Sequence, residues 1–214
     1  MSSGKAEDVL RHRPAPQQAR ARATVAKIQE AAKEILVEHG PHGLNTNLIA
    51  ERAGVNVATL YNYYPDKFAV LVHLFSDFED ERASYVSEQL EKLGPDSNLA
   101  DWTSTIIDRL ASMRTEGGYQ IALRRALVSV PELAILDQES SDSISRGLEK
   151  ALRGTDKWAA DADLAHVAGL VVEVITNTLD SAFAESPTDF GKIAELKVMI
   201  DSYLAHSSSQ SLGS

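Results

Sequence analysis

Apolar side chains recur at helical spacing along most of the chain. Val25, Ile28, Ala32, Ile35 and Leu36 predict a helix over 24–38, which Gly40 ends. Two short helices are expected over 46–53 and 57–63, the second stopped by Pro65. Leu71, Leu74, Phe75, Phe78, Arg82, Tyr85, Val86, Leu90 and Leu93 then mark one face of a long helix, broken at Gly94-Pro95-Asp96. The same reading gives helices over 99–113, 119–129, 131–152, 161–183 and 189–204, separated by Gly117-Gly118, Gly154-Thr155-Asp156 and Ser186-Pro187. No strand-like alternation of useful length and no internal repeat interrupts this series. The expected fold is all-α, with about nine helices. Pro14, Pro16, Gln17 and Gln18 stand among Arg11, Arg13, Arg20 and Arg22 without apolar periodicity, so residues 1–22 are read as a flexible basic arm. The serine-rich residues 207–214 are read as a disordered tail.

With 43% hydrophobic and 24% charged residues, the 214-residue chain has the make-up of a folded protein rather than a disordered one. The absence of cysteine excludes disulfides, a thiol nucleophile, iron–sulfur ligation and thiolate zinc sites. Residues 1–10 lack the apolar run of a signal peptide, and the charge-free stretch 164–172 is far shorter than a membrane span. A soluble, cytoplasmic protein with no membrane partner is expected. The net charge of −10 argues at first against nucleic acid. Its distribution reverses that argument: residues 1–67 carry 9 Lys/Arg against 7 Asp/Glu, and 68–214 carry 12 against 24. Only the face that meets phosphate has to be positive.

The segment 45–67, NTNLIAERAGVNVATLYNYYPDK, holds the most specific chemistry. Leu48, Ile49 and Ala53 give the first short helix an inner face, Gly54 suits a sharp turn needing positive φ, and Asn56 can cap the second helix. Two short helices joined by such a turn form either an ordinary helical corner or a helix-turn-helix that places its second helix in the DNA major groove. The outer face of the second helix favours DNA. It carries no acid, and its hydroxyls, amide and small apolar groups suit phosphate oxygens, base edges and thymine methyls. Lys67 follows at the start of the long helix.

The run IAERAGVNVATLYNYYPDK, behind a helix ending at Gly40, resembles the N-terminal domain of TetR-type transcriptional regulators. Ile49-Ala50, Ala53-Gly54-Val55, Ala58, Thr59-Leu60-Tyr61, Tyr63-Tyr64 and Lys67 occupy the pattern's fixed positions over about 24–75. The resemblance implies a helix-turn-helix domain over 23–67 and a helical ligand-binding and dimerisation domain over 68–206. It also places Thr46, Asn47, Val57, Ala58, Thr59, Tyr61, Asn62, Tyr63 and Lys67 at positions that commonly face DNA. Of these, Thr46, Thr59, Tyr61, Tyr63 and Lys67 suit phosphates, while Asn47, Val57 and Asn62 suit bases. Val57 stands where a polar residue is frequent, Phe68-Ala69 replaces the usual acid after the lysine, and Tyr64 stands where Phe is common.

In the larger domain, Trp102, Ile106, Leu110, Met113, Tyr119, Leu123, Leu127, Leu136 and Phe183 either line a cavity or form an ordinary helical core. Arg124 and Arg125 interrupt an apolar helix. They are read first as surface arginines, or one of them as paired with an acid of the next helix, and second as an anchor for an effector carboxylate. Val167, Leu170, Val171, Val174, Ile175 and Thr178 cover more than one helix face, as do Ile193, Leu196, Ile200 and Tyr203 in the last helix. That pair is either central core or, as the resemblance favours, a two-fold dimer interface. Asp163 and His166 share a helix face with Glu173 a heptad beyond, too sparse a set for a metal site, and no catalytic constellation or cofactor motif is present. The expected function is a non-enzymatic, homodimeric regulator. It is usually a repressor in such families, bound to palindromic double-stranded operator DNA and released by a small, mostly apolar effector. The alternatives are a helical small-molecule-binding or structural protein without specific DNA binding and, more remotely, an enzyme.

Overall fold

The computed structural model describes residues 16–127, 130–184 and 186–212. These residues form nine α-helices and no strand, in two compact units that divide between Val70 and Leu71. The first unit contains α1 (Pro16–Gly43), α2 (Thr46–Arg52), α3 (Val57–Tyr61) and the opening turn of α4 (Lys67–Glu91). Its core gathers Ile28, Ala32, Ile35 and Leu36 of α1 with Leu44, Ile49, Ala50 and Leu60, all essentially without solvent exposure. Each such Ile or Leu contributes ~1.5–3 kcal/mol on burial, enough to hold helices too short to persist alone. Arg52 of α2 adds an ion pair to Glu38 of α1 at 2.7 Å.

Helix α1 starts earlier than the sequence pattern predicts. Residues 16–22, expected in the flexible arm, are helical. Pro16 sits in the first turn, where a missing N–H costs nothing, and Ala19, Ala21 and Ala23 are strong helix formers. The rest of the expected arm, residues 1–15, lies outside the described residues. Gly40, with φ +65° and ψ −176°, interrupts the helical backbone where the expected break falls, and residues 41–43 add one further turn.

The second unit holds the remainder of α4 with α5 (Leu99–Met113), α6 (Gln120–Ala126), α7 (Pro131–Arg153), α8 (Leu164–Ala184) and α9 (Phe190–Leu212). Helix α8 packs against α6, α7 and α9, and α9 also packs against α5. By length and apolarity α8 could cross a membrane, but nine of its residues are buried in the unit, which accounts for that composition. Its start is fixed by Asp163, whose Oδ1 accepts from the His166 N–H at 3.1 Å; this gives the Asp163–His166 pair a capping role. Helix α9 runs on to Leu212, so residues 207–212 of the expected disordered tail are helical. There Ser208 and Ser209 donate their hydroxyls back to the Ala205 carbonyl at 3.0 and 2.9 Å, turning polar side chains inward on their own helix. Residues 128–129, expected at the end of α6, and 213–214 lie outside the described residues.

Candidate nucleic-acid interface and effector-unit cavities

In the first unit the turn between α2 and α3 is built by local chemistry. Asn45 Oδ1 accepts from the Leu48 N–H at 2.9 Å and caps α2, while Asn56 Oδ1 accepts from the Ala58 N–H at 2.8 Å and caps α3. Gly54 takes φ +64° between them, with open space where a Cβ would stand, so the glycine answers a backbone demand and not a steric one. Leu60 is the one buried residue of α3. Ala58, Tyr61, Asn62 and Tyr63 are therefore exposed, with Val57 and Thr59 half-buried beside them. Tyr61 Oη lies 3.2 Å from Thr46 Oγ1, so the start of α2 and the end of α3 share one edge. Asn47 is exposed next to Thr46. Asp66 Oδ1 accepts from the Ala69 N–H at 2.9 Å and caps α4, and Lys67 Nζ stands 5.3 Å from the centre of the Phe68 ring. The result is an acid-free surface of hydroxyl, amide and aromatic groups on α3, with one lysine at the head of α4.

The second unit contains a small apolar chamber of about 40 Å³ among α4, α5, α7 and α8. Trp102, Ile106 and Leu110 line it as expected residues of a pocket, together with Val86, Leu148, Ile175 and others that the sequence pattern did not assign to a pocket. Met113, Tyr119 and Leu123 do not line it; Met113 and Leu123 are core residues with almost no exposure. Leu127, Phe183 and Arg124 line a different cavity, of about 270 Å³, between α6 and the end of α8. The expected single lining is thus split between two sites, the α5 residues facing the chamber and Arg124, Leu127 and Phe183 the second cavity.

Arg124 is the inward arginine, and its role differs from an effector anchor. Its Nε donates to Asp180 at 3.0 and 3.1 Å, and its Nη atoms reach Asp137 and Glu79. Arg114 donates to the same Asp180 at 2.9 and 3.1 Å, and Arg82 pairs with Glu79 and donates to Ser140 at 3.1 Å. Three guanidiniums and three carboxylates, drawn from α4, the end of α5, α6, α7 and α8, therefore close a balanced buried network. Burial pushes the Glu79 carboxyl above its ordinary range despite Arg82 and Arg124. Burial acts in the same direction on Asp180, but the attraction of Arg124 and Arg114 outweighs it and holds that carboxyl low. With all its donors engaged, Arg124 has none left for an effector carboxylate. Exposed Arg125 donates instead to the Phe183 and Ala184 carbonyls at the end of α8.

The residues expected at a dimer interface divide by burial. Val171, Ile175, Ile193, Leu196 and Ile200 are at most 7% exposed within the single chain, so they form its core and have no surface left for a partner. Leu170 remains exposed, Val167, Val174, Thr178 and Tyr203 are half-exposed, and α9 adds exposed Val198 and Met199, which the sequence pattern did not pick out. Among the described residues no three His, Asp or Glu side chains gather as a metal ion would require.

Comparison with known families places this geometry. The model for bacterial regulatory proteins of the tetR family matches residues 28–74, and the model for the tetracyclin repressor-like C-terminal domain matches 98–204. The chain belongs to the TetR family. Solved structures agree on the fold. A TetR-family transcriptional regulator from Streptomyces coelicolor is 22% identical, with 86% of this chain and 99% of that one covered at a TM-score of 0.60. The fatty acid degradation regulator FadR from Bacillus halodurans is 16% identical, with 83% and 94% covered and a TM-score of 0.65. A transcriptional regulator from Rhodococcus sp. Rha1 is 15% identical, with 85% and 96% covered and a TM-score of 0.65. No curated protein matches in sequence. As a TetR-family transcription regulator, the chain carries its helix-turn-helix on α2 and α3 and its effector-type helical domain from 71 onward. Sequence reasoning anticipated one link of the buried ion network, an arginine of α6 paired with an acid of the next helix, as Arg124 is with Asp137, and missed the rest. The signals for the rest were Arg82 on an otherwise apolar helix face and Asp180 in the apolar α8.

Proposed function

We propose that the protein is a homodimeric, ligand-responsive transcriptional repressor, acting without catalysis in the cytoplasm and released from a palindromic operator by a small, mostly apolar effector. The observation that carries the reading is α3 with the two residues after it: one buried residue in the helix, no acid, and exposed Ala58, Tyr61, Asn62 and Tyr63, with Thr46 and Lys67 flanking the segment in sequence. Thr46, Thr59, Tyr61, Tyr63 and Lys67 position the protein on phosphates, and Asn47, Val57 and Asn62 read base edges, Val57 through a thymine methyl. Helical Arg20 and Arg22 add exposed positive charge at the start of α1. Two copies pair through the exposed parts of α8 and α9, around Leu170, Val174, Val198 and Met199.

Regulation follows from linkage. Paired recognition helices fit successive major grooves when about one DNA turn apart, ~34–36 Å. An effector that binds better to another spacing lowers operator affinity by the same factor by which operator lowers effector affinity. Nuclease footprinting over the DNA upstream of the protein's own gene tests the reading. Protection of two inverted half-sites one turn apart is expected; uniform, sequence-independent protection contradicts it.

A further inference from the structure

The apolar chamber carries a chemical bias that its size hides. Arg82 lines it, is only 3% exposed, and holds its Nε–H without a hydrogen-bond partner. The same guanidinium's Nη2 lies against Glu79 and donates to Ser140, and these contacts leave the Nε–H unmet. Leaving a buried charged donor unmet is costly, and a ligand acceptor is the natural remedy. Thr103 spends its hydroxyl on the Leu99 and Ala100 carbonyls, and the rest of the wall is almost entirely apolar.

Charge decides between ligand classes. Arg82, Arg114 and Arg124 are already matched one for one by Glu79, Asp137 and Asp180. A carboxylate entering the chamber would leave a buried negative charge uncompensated, and an ammonium would stand against Arg82 with no carboxylate in the wall. Val172 and Thr176 also form part of a neighbouring polar cavity of about 400 Å³ that contains Asp137, Asp142 and Glu173, which repels an approaching anion. Resting on the reading of this unit as an effector domain, we propose that the chamber binds an uncharged, mostly apolar molecule with one acceptor oxygen, a ketone or ester carbonyl, that accepts from Arg82 Nε–H.

At about 40 Å³ the chamber must open to admit even one ring, and Ile106 lies in its wall. The full-length protein is titrated with acetophenone, ethylbenzene, benzoate and 1-phenylethylamine by calorimetry and melting temperature. Acetophenone is expected to bind about tenfold tighter than ethylbenzene, with benzoate and the amine weaker still. Its carbonyl stretch shifts to lower frequency on binding. Arg82→Lys keeps the charge beside Glu79 but removes Nε, and is expected to erase the preference for the ketone; the wild-type order and the carbonyl shift stand even if that variant does not fold. Ile106→Ala enlarges the chamber and is expected to tighten all binding while keeping the order. A preference for benzoate or the amine, an unshifted carbonyl, or no binding by either wild type or Ile106→Ala overturns the proposal. Operator release is read separately: acetophenone that binds in this way yet leaves DNA bound upholds the chamber chemistry and contradicts the regulatory role.

Discussion

Asn56 and Gly54 show what a sequence discloses at the scale of single residues. Both act on backbone within three positions of themselves, and both stand in the structure as the pattern predicts, a cap accepting from the Ala58 N–H and a turn at φ +64°. Gly54→Ala should therefore destabilise the first unit by ~1–2 kcal/mol through backbone strain alone, measurable by chemical denaturation, since its Cβ would meet open space. Asp180 shows the opposite case. Its partners Arg114 and Arg124 lie 66 and 56 positions away, a pairing that no local spacing announces. Asp180→Asn leaves two guanidiniums poorly matched and should cost ~3 kcal/mol at pH 7. The folded state holds this carboxyl below its ordinary value, so its contribution is present above the unfolded value of ~3.9 and is lost as pH falls through the folded one. The difference between wild type and variant should accordingly shrink in denaturation curves taken below about pH 4. Glu79, shifted upward by burial, acts with the opposite sign: its preference for the protonated form favours folding at low pH and fades as pH rises.

At the scale of elements, periodicity located every helix but not its surroundings. Helix α8 was expected to be buried on two sides; the burial within the chain comes from α6, α7 and α9, and Leu170 stays exposed. A hydrophobic pattern reports how much of a helix must leave water and is silent about which neighbour covers it. Burial supplies the missing distinction and changes the experiment. Val171→Glu, at a site 2% exposed, should unfold the second unit, whereas Leu170→Glu, 38% exposed, or Val198→Glu, 61% exposed, should leave the fold intact and yield monomers in light scattering. Dimers persisting in both surface variants would move the interface elsewhere. The helix ends show the same limit: Ser208 is a poor signal for a helix interior, yet α9 runs through it, because propensity is weaker than continuity with a helix already formed.

Across the whole molecule, an acidic protein of net charge −10 carries a DNA-binding family domain because charge is apportioned by region. The face of α3 was legible because it lies in one contiguous segment whose acid-free residue types differ from those of an ordinary solvated helix. The chamber was only partly legible, since its walls come from four helices and share their composition with any core. Lys67→Ala should weaken binding to all sequences alike and lower the salt slope by about one per subunit. Asn62→Ala should cost ~1–3 kcal/mol on operator and relax preference at one base pair in each half-site. Both rest on the claim that α3 reads sequence. The most direct measurement is fluorescence anisotropy of wild-type protein on its upstream palindrome and on a scrambled duplex, at physiological salt. The account predicts at least ~10³-fold tighter binding to the palindrome, and equal affinity for the two duplexes would contradict it.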